Sequence, residues 1–189
     1  EGYNSDKGLF DSLYGSVSNL TMKGRIRASA RNIGSVSGYT GYDANIQNCV
    51  SFVHLSNSDE NTGGFAGSSY PTTEVDCVFA GTVESSSDNV GGIVGSIYTK
   101  VKNSDFDVYG CCADTMIDCI NKGVVKGNNN VGGLIGSLKV LTDYTVFANY
   151  DNVSYLVMKE CVNAGQVEGN DYVGGLVGYY YVEARGSYD

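Results

Sequence analysis

The stretch Asn89-Val90-Gly91-Gly92-Ile93-Val94-Gly95 occurs five times along the chain with small changes. Val131–Gly136 and Val173–Gly178 are near copies, whereas Thr62–Gly67 and Ile33–Gly38 are more divergent. Each copy combines two glycines, or Gly-Ser, with a bulky apolar residue and a further glycine four positions after the first. Self-similarity of this kind is the sequence signature of a repeat architecture. It therefore indicates the fold before any single residue is considered.

Two markers recur in phase and set the length of the repeating unit. The first glycines of the motif copies, separated by 29, 28, 41 and 42 residues, are Gly34, Gly63, Gly91, Gly132 and Gly174. A second marker stands 13 or 14 residues before each of them and is occupied by Leu20, Cys49, Cys77, Cys119 and Cys161. Two markers that recur at a constant spacing predict a repeating structural unit of about 28 residues, which we call a rung.

Alternating residue types around both markers predict short strands. The position two after the first glycine is always bulky and apolar: Val36, Phe65, Ile93, Leu134 and Leu176. Because successive side chains of a strand point to opposite faces, this position and positions +4 and +6 are expected on one face. Short strands that repeat with polar turns between them are typical of a solenoid. We therefore predict an all-β, parallel β-helix-like solenoid of about five repeats, with each glycine motif forming one strand.

The chain reads as a single solenoid domain over residues 1–189, in which residues 1–13 are a lead-in. The two longer steps contain about 13 extra residues each, which predicts insertions at about 102–115 and 142–156. Both follow a glycine motif and precede a cysteine marker, so they are expected side by side on one edge. The sequence offers no amphipathic helix to cover the final rung, which is therefore expected to meet flanking domains of a longer chain or a neighbouring molecule.

Composition narrows the possible partners. Apolar residues make up 42% of the chain, which is enough for a core and disfavours disorder. The net charge of -9 disfavours nucleic acid and anionic membranes as partners. No apolar run reaches about 18 residues, so membrane insertion is not expected. The chain opens without Met or a signal peptide, which suggests a processed piece of a longer protein.

Three stretches resemble the GLUG-motif repeats of bacterial secreted or cell-surface, adhesin-like proteins. They are the Gly175-Leu176-Val177-Gly178 core, the Cys161-Val162-Asn163-Ala164-Gly165 half-repeat and the opening segment Gly8–Gly24. The resemblance covers nearly the whole chain apart from the two insertions. It implies a parallel β-helix-like fold and a secreted or cell-surface setting. It implies neither an activity nor a ligand.

The six cysteines invite a search for disulfides or a metal site. Four of them occupy the recurring marker, where stacked strands lie about 4.8 Å apart, and they are expected to form a column of buried, unpaired thiols. Cys111 and Cys112 fall in the first insertion, where one of them could instead bridge to a loop or to Cys119. No CxxC pair occurs, and the lone His54 completes no Cys/His zinc set, so neither a metal nor a cofactor is expected.

Catalytic motifs such as HExxH and G-x-S-x-G are absent from the sequence, and no catalytic residue is assigned. His54 precedes an inward-facing position and is expected to face solvent. Paired carboxylates are the remaining enzymatic route, and Asp105 and Asp107 share one face if their insertion is extended. Acids in a loop are more simply solvated. The glycine motif lacks the aspartate of calcium-binding repeats, so a repeated calcium site is not expected. The polar clusters Asn57–Asn61 and Asn170-Asp171 are interpreted as turns, which leaves incidental calcium binding open.

Tyrosines supply the candidate ligand-contact face. Motif positions +5 and +7 are expected to point outward, and they hold Tyr70, Tyr98, Tyr179 and Tyr181. The insertions add Tyr109, Tyr144 and Tyr150. Exposed aromatic rings beside Asn and Asp could stack on sugars, although aromatic side chains also pack across strands without any ligand.

The sequence therefore predicts a non-enzymatic structural or adhesion module of a secreted or cell-surface bacterial protein, with carbohydrate or a surface protein as its partner. The alternative is a carbohydrate-active β-helix enzyme, a hydrolase or lyase, that uses loop carboxylates.

Overall fold

The computed structural model describes residues 6–101, 113–145 and 155–187. Within these ranges the chain forms 25 β-strands, numbered here in chain order, and no helix. The described part therefore contains no helix long and apolar enough to cross a membrane. The strands pair in parallel across successive turns of the chain, so the fold is the predicted parallel β-helix-like solenoid.

Four sheets, A to D, form the walls of the solenoid. Sheet A contains β1 (Asp6–Lys7), β5 (Asn32–Gly34), β9 (Thr62–Gly63), β14 (Val90–Gly91), β19 (Asn129–Gly132) and β24 (Asp171–Gly174). Sheet B contains β2 (Phe10–Leu13), β6 (Ser37–Thr40), β10 (Ala66–Ser69), β15 (Val94–Val101), β20 (Ile135–Thr145) and β25 (Val177–Ser187).

The chain then passes from sheet B to sheets C and D before it returns to sheet A. Sheet C contains β3 (Ser16–Ser18), β7 (Ala44–Gln47), β11 (Thr72–Val75), β16 (Ala113–Ile117) and β21 (Tyr155–Lys159). Sheet D contains β4 (Thr21–Ala28), β8 (Val50–Asn57), β12 (Val78–Phe79), β13 (Thr82–Ser85), β17 (Ile120–Asn121), β18 (Val124–Lys126), β22 (Val162–Asn163) and β23 (Gln166–Glu168).

The strand register follows the repeat spacing read from the sequence. The five first glycines pair in series, from Gly34 to Gly63, Gly91, Gly132 and Gly174. Hydrogen bonds in the motif run from one rung to the next: the backbone N–H of Leu134 donates to the carbonyl of Leu176 over 2.9 Å. The rung length of 28 to 29 residues, enlarged by insertions in the later turns, is therefore confirmed.

The glycine motif is a corner and not the single strand that the sequence predicted. In the third copy β14 ends at Gly91 and β15 begins at Val94, so the chain bends at Gly92 and Ile93. The bend turns both Ile93 and Val94 toward the interior, where each is fully buried. A side chain at Gly92 would overlap the carbonyl oxygen of Gly133 in the next rung, so only glycine fits there. We call this bend between sheets A and B the glycine corner.

Burial depends on a covering rung. Leu134 has no exposed surface, whereas its equivalent in the last rung, Leu176, is 43% exposed. Leu9, which stands near the same point of the opening rung, is 57% exposed. The bulky residue of the motif is thus fully buried only where rungs pack on both sides of it.

Both predicted insertions fall in the same connection, that from sheet B to sheet C, which we call the insertion corner. The strands on either side are longer than the sequence indicated, since β20 continues to Thr145 and the strands that follow begin at Ala113 and Tyr155. Residues 6–7 and 10–13 of the predicted lead-in form β1 and β2 and pair with the next rung.

Candidate functional site

A column of aromatic and cationic side chains runs along the outside of sheet B. It consists of Tyr70, Tyr98, Lys139 and Tyr181, one from each of four successive rungs, and we call it the tyrosine–lysine column. The rings of Tyr70 and Tyr98 are stacked with centroids 6.0 Å apart. Lys139 Nζ lies 6.0 Å from the centroid of Tyr98 and 5.6 Å from that of Tyr181. Each exposed cation–π contact of this kind contributes about 0.5–1 kcal/mol.

A groove of about 530 Å³ lies beside this column. Its base is formed by the serines at position +5, Ser68, Ser96 and Ser137, which pair across neighbouring strands. Its far wall contains Arg31, Glu60, Asn61 and Asn89. Hydroxyl, phenol and amide groups therefore recur at intervals of one strand spacing, about 4.8 Å, along the solenoid axis.

The groove continues toward the last rung through a second depression of about 370 Å³, which is lined by Lys139, Tyr179, Tyr181 and Glu183. Tyr39 closes the opposite end. Burial, and then the neighbouring Tyr14 and Tyr42, raise the pKa of Tyr39, so its hydroxyl stays a hydrogen-bond donor at neutral pH.

The asparagines of the far wall belong to a ladder that the sequence interpretation missed. Asn61 Nδ2 donates to Asn32 Oδ1 over 2.8 Å, and Asn89 and Asn130 extend the series at 2.9 Å each. Asn61, previously assigned to a turn cluster, is only 8% exposed. The signal was available, because an asparagine precedes the first glycine by two residues in four of the five motif copies. Three of these asparagines have φ between 54° and 61°, a region that Asn tolerates better than most residues.

The structure places four of the predicted ligand-contact tyrosines, Tyr70, Tyr98, Tyr179 and Tyr181, on the outer face of sheet B. Tyr109 and Tyr150 lie outside the described residues, and Tyr144 lies on β20, where its side chain is not described. The described rings pack on one another: Tyr179 and Tyr181 are stacked at 6.4 Å, and Tyr172 meets Tyr179 edge to face at 5.3 Å. Tyr70 and Tyr98 thus pack across neighbouring rungs, whereas Tyr179 and Tyr181 stack along one strand, and a ligand role stays a prediction.

The cysteine marker forms the expected column of free thiols. Cys49, Cys77 and Cys119 are buried and Cys161 is half-buried, and none of the four is in a disulfide. Hydrogen bonding to Cys161 and Cys77, followed by burial, raises the pKa of Cys119. The column is therefore a packing feature of the core. Cys111 and Cys112 lie outside the described residues.

Two carboxyl groups that the sequence analysis did not single out are buried at the insertion corner. Glu74 and Asp114 have no exposed surface, and Thr72 bridges them. The Thr72 hydroxyl donates to Glu74 Oε1 over 2.9 Å, and its backbone N–H donates to Asp114 Oδ1 over 3.0 Å. Ser69 Oγ lies 2.5 Å from the Thr72 hydroxyl and 3.4 Å from Asp114 Oδ1. We call these four residues, together with the buried Thr99 of the adjoining strand β15, the buried carboxyl cluster.

Burial governs the titration of this cluster. Desolvation, reinforced by the charge of Asp114, raises the pKa of Glu74 to about 8, and desolvation raises the pKa of Asp114 to about 7. Because these two acids converge inside the solenoid and not in the outer groove, they are not placed to act on a polysaccharide. The loop acids Asp105 and Asp107 lie outside the described residues.

His54 lies on the outer face of sheet D, 3.8 Å from Glu84, as expected for a solvent-facing histidine. In the described ranges no three His, Cys, Asp or Glu side chains come together as a metal site. Comparison of the chain with protein-family models, curated proteins and solved structures finds no match. The resemblance to GLUG repeats therefore rests on the motif residues alone.

Proposed function

We propose that the protein is a non-enzymatic binding module of a secreted or cell-surface protein, and that the groove on sheet B holds a glycan chain along the solenoid axis. The observation that carries the proposal is the repetition of the groove. Serine, tyrosine and asparagine recur on successive rungs, so a polymer with a short chemical repeat would meet the same contacts several times.

The chemistry of the groove favours a sugar over an apolar peptide. Its walls present phenol, hydroxyl and amide groups that both donate and accept hydrogen bonds, as sugar hydroxyls do. The ring faces of Tyr98 are largely occupied, by Tyr70 on one side and Lys139 on the other. Contact would therefore come from ring edges and hydroxyls, with polar recognition outweighing face stacking.

The charges of the groove indicate which glycans to test. In the larger part of the groove, Arg31 and Lys139 contribute two cations against the carboxylate of Glu60, although the whole chain has a net charge of -9. The continuation toward the last rung adds the carboxylate of Glu183. A uronic-acid polymer would find opposite charge in the larger part of the groove and like charge elsewhere on the surface. The secreted setting is supported by the motif resemblance.

A glycan array with neutral and uronic-acid polysaccharides, followed by calorimetry on the positive glycans, tests the proposal. Tyr98→Ala and Tyr181→Ala each remove one phenol from the groove, and we expect each to weaken binding at least about tenfold, or 1.4 kcal/mol. Phe52→Ala is the matched control, since Phe52 is a 46% exposed aromatic on sheet D that also contacts a lysine, Lys23, at 5.5 Å. Unchanged binding in both tyrosine variants would exclude the groove as the binding site.

A further inference from the structure

The buried carboxyl cluster contains oxygen atoms that have no hydrogen-bond partner inside the solenoid. Four buried side-chain oxygens in the described residues lack a hydrogen-bond partner, and three of them are Glu74 Oε2, Asp114 Oδ2 and Thr99 Oγ1. Buried polar atoms without partners are rare in folded proteins and point to a bound water, a bound ion or a functional role. Their concentration in one corner indicates a shared cause.

Strand register places the three groups around one corner. Ser69 pairs with Ile97 in sheet B. Thr99 lies two residues after Ile97 on β15, so both side chains point to the inward face of the sheet. On the other side of the corner, the backbone N–H of Thr72 donates to the Asp114 side chain from the neighbouring rung. Thr99 and Asp114 thus flank the connection where the first insertion leaves the solenoid.

No cationic side chain neutralises these acids in the described part of the chain. The ion pairs there join exposed groups such as Lys126 and Glu168, at 3.1 Å, and none includes Glu74 or Asp114. An isolated buried carboxylate is strongly disfavoured, so each of the two must either hold a proton or face a cation. A proton neutralises the charge but leaves the Thr99 hydroxyl unpaired.

We propose that the buried carboxyl cluster is a Ca²⁺ site inside the solenoid, formed by Glu74, Asp114 and Thr99 with the hydroxyls of Ser69 and Thr72 beside them. Every available group is an oxygen, which is the ligand that hard cations require. Two carboxylates match a divalent charge. Ca²⁺ accepts irregular sets of carboxylates, hydroxyls and carbonyls, whereas Mg²⁺ keeps several waters and is poorly suited to a dry site.

The fold suggests what such an ion would do. The insertion corner joins two sheets through residues that differ from rung to rung, so the corner lacks the repeated packing found elsewhere. An ion held by β11, β15 and β16 would tie two successive rungs together at the base of the first insertion. Because the site is fully enclosed, we expect calcium to enter as the chain folds and to exchange slowly afterwards.

The test is to unfold the full chain in chelator, refold it with or without CaCl₂, remove free ion and measure bound calcium and the melting temperature. We expect one calcium per chain and a melting temperature that rises with calcium concentration. Glu74→Gln and Asp114→Asn should each abolish both effects, whereas the matched control Glu84→Gln, an exposed acid on sheet D, should retain them. MgCl₂ should give no comparable stabilisation.

Thr99→Val tests the proposal even if Glu74→Gln and Asp114→Asn do not fold. Thr99→Val removes only the unpaired hydroxyl at nearly constant volume, so we expect it to stabilise the calcium-free protein and weaken calcium binding at least about tenfold. Absence of bound calcium after refolding, equal stabilisation by MgCl₂, or stabilisation retained in both acid variants would each overturn the proposal.

Discussion

The two corners that flank sheet B are built on opposite principles. The glycine corner, between sheets A and B, has nearly the same residues in every rung. The insertion corner, between sheets B and C, differs each time: Thr40 and Ala44 in one turn, Ser69 and Thr72 in the next, then Thr99 and Asp114. The first corner is apolar and continuous, whereas the second buries two carboxyl groups and releases both insertions.

The difference follows from how closely the backbones approach. In the second, third and fourth copies of the motif, the second glycine faces the carbonyl oxygen of the following rung, and no side chain fits between them. In the first copy Ser35 takes this position, and its hydroxyl donates to the carbonyl of Gly64 over 2.6 Å. At the insertion corner, side chains separate the turns and the connection varies in length. Repetition is therefore enforced by sterics at one corner, and chemical variety is tolerated at the other.

The largest expected effect tests the close approach itself. In Gly133→Ala the new methyl group would overlap the carbonyl oxygen of Gly175 and the side chain of Asn163. We expect a loss of about 3 kcal/mol in the free energy of unfolding. Gly175→Ala is the matched control, because it changes the same motif position in the last rung, where nothing lies within 4 Å, and it should cost less than about 0.5 kcal/mol.

Urea unfolding followed by tyrosine fluorescence measures both variants at low protein concentration. Equal losses of stability in the two variants would show that the glycine corner does not depend on a neighbouring rung.

A pH-dependent effect is expected at the insertion corner, in buffer with chelator. The pKa of Glu74 in the folded chain, about 8, lies above its ordinary value of 4.5, so the folded state binds its proton more tightly than the unfolded state does. Stability should therefore fall as pH rises from about 4.5 to about 8, by at most about 1.4 kcal/mol per pH unit for this group.

Glu74→Gln isolates that contribution, because the amide has a similar shape and does not titrate. We expect the variant to match the parent protein near pH 4.5 and to exceed its stability by more than about 1 kcal/mol at pH 8. Parallel stability curves for the two proteins, measured by thermal unfolding across this pH range, would contradict the assignment of a proton to Glu74.

The contrast between the glycine corner and the insertion corner explains which features could be predicted from the sequence. The spacing of Gly34, Gly63, Gly91, Gly132 and Gly174 predicted the register, since a sterically enforced position must recur at the same phase. The bend at Gly92 and Ile93 was missed, because the adjacent apolar residues Ile93 and Val94 are also compatible with a continuous strand that is covered on both faces. The asparagine ladder was missed although its phase was visible, because Asn before Gly also suits an ordinary turn.

The buried carboxyl cluster could not be predicted in this way. Glu74 stands in a column with Ile46 and Met116, so neither alternation nor repetition marks it as polar and buried. Asp114 follows an insertion, and its position opposite Thr72 depends on where the chain re-enters sheet C. The outer groove was half-predicted: alternation and the repeat spacing place Tyr70, Tyr98 and Lys139 at one outward motif position, whereas Asn61 of the far wall was assigned to a turn.

Residue-resolved hydrogen exchange is the most direct test of the central claim, that each rung is protected by the one stacked on it. The backbone N–H groups of Gly133, Leu134 and Ile135 donate to carbonyls of the last rung at 3.1, 2.9 and 3.0 Å. In the described chain, Gly175 and Leu176 have no following rung to receive theirs. We predict slow exchange at Gly133, Leu134 and Ile135 and rapid exchange at Gly175 and Leu176. Equal exchange rates in these two copies of one motif would contradict the stacked solenoid.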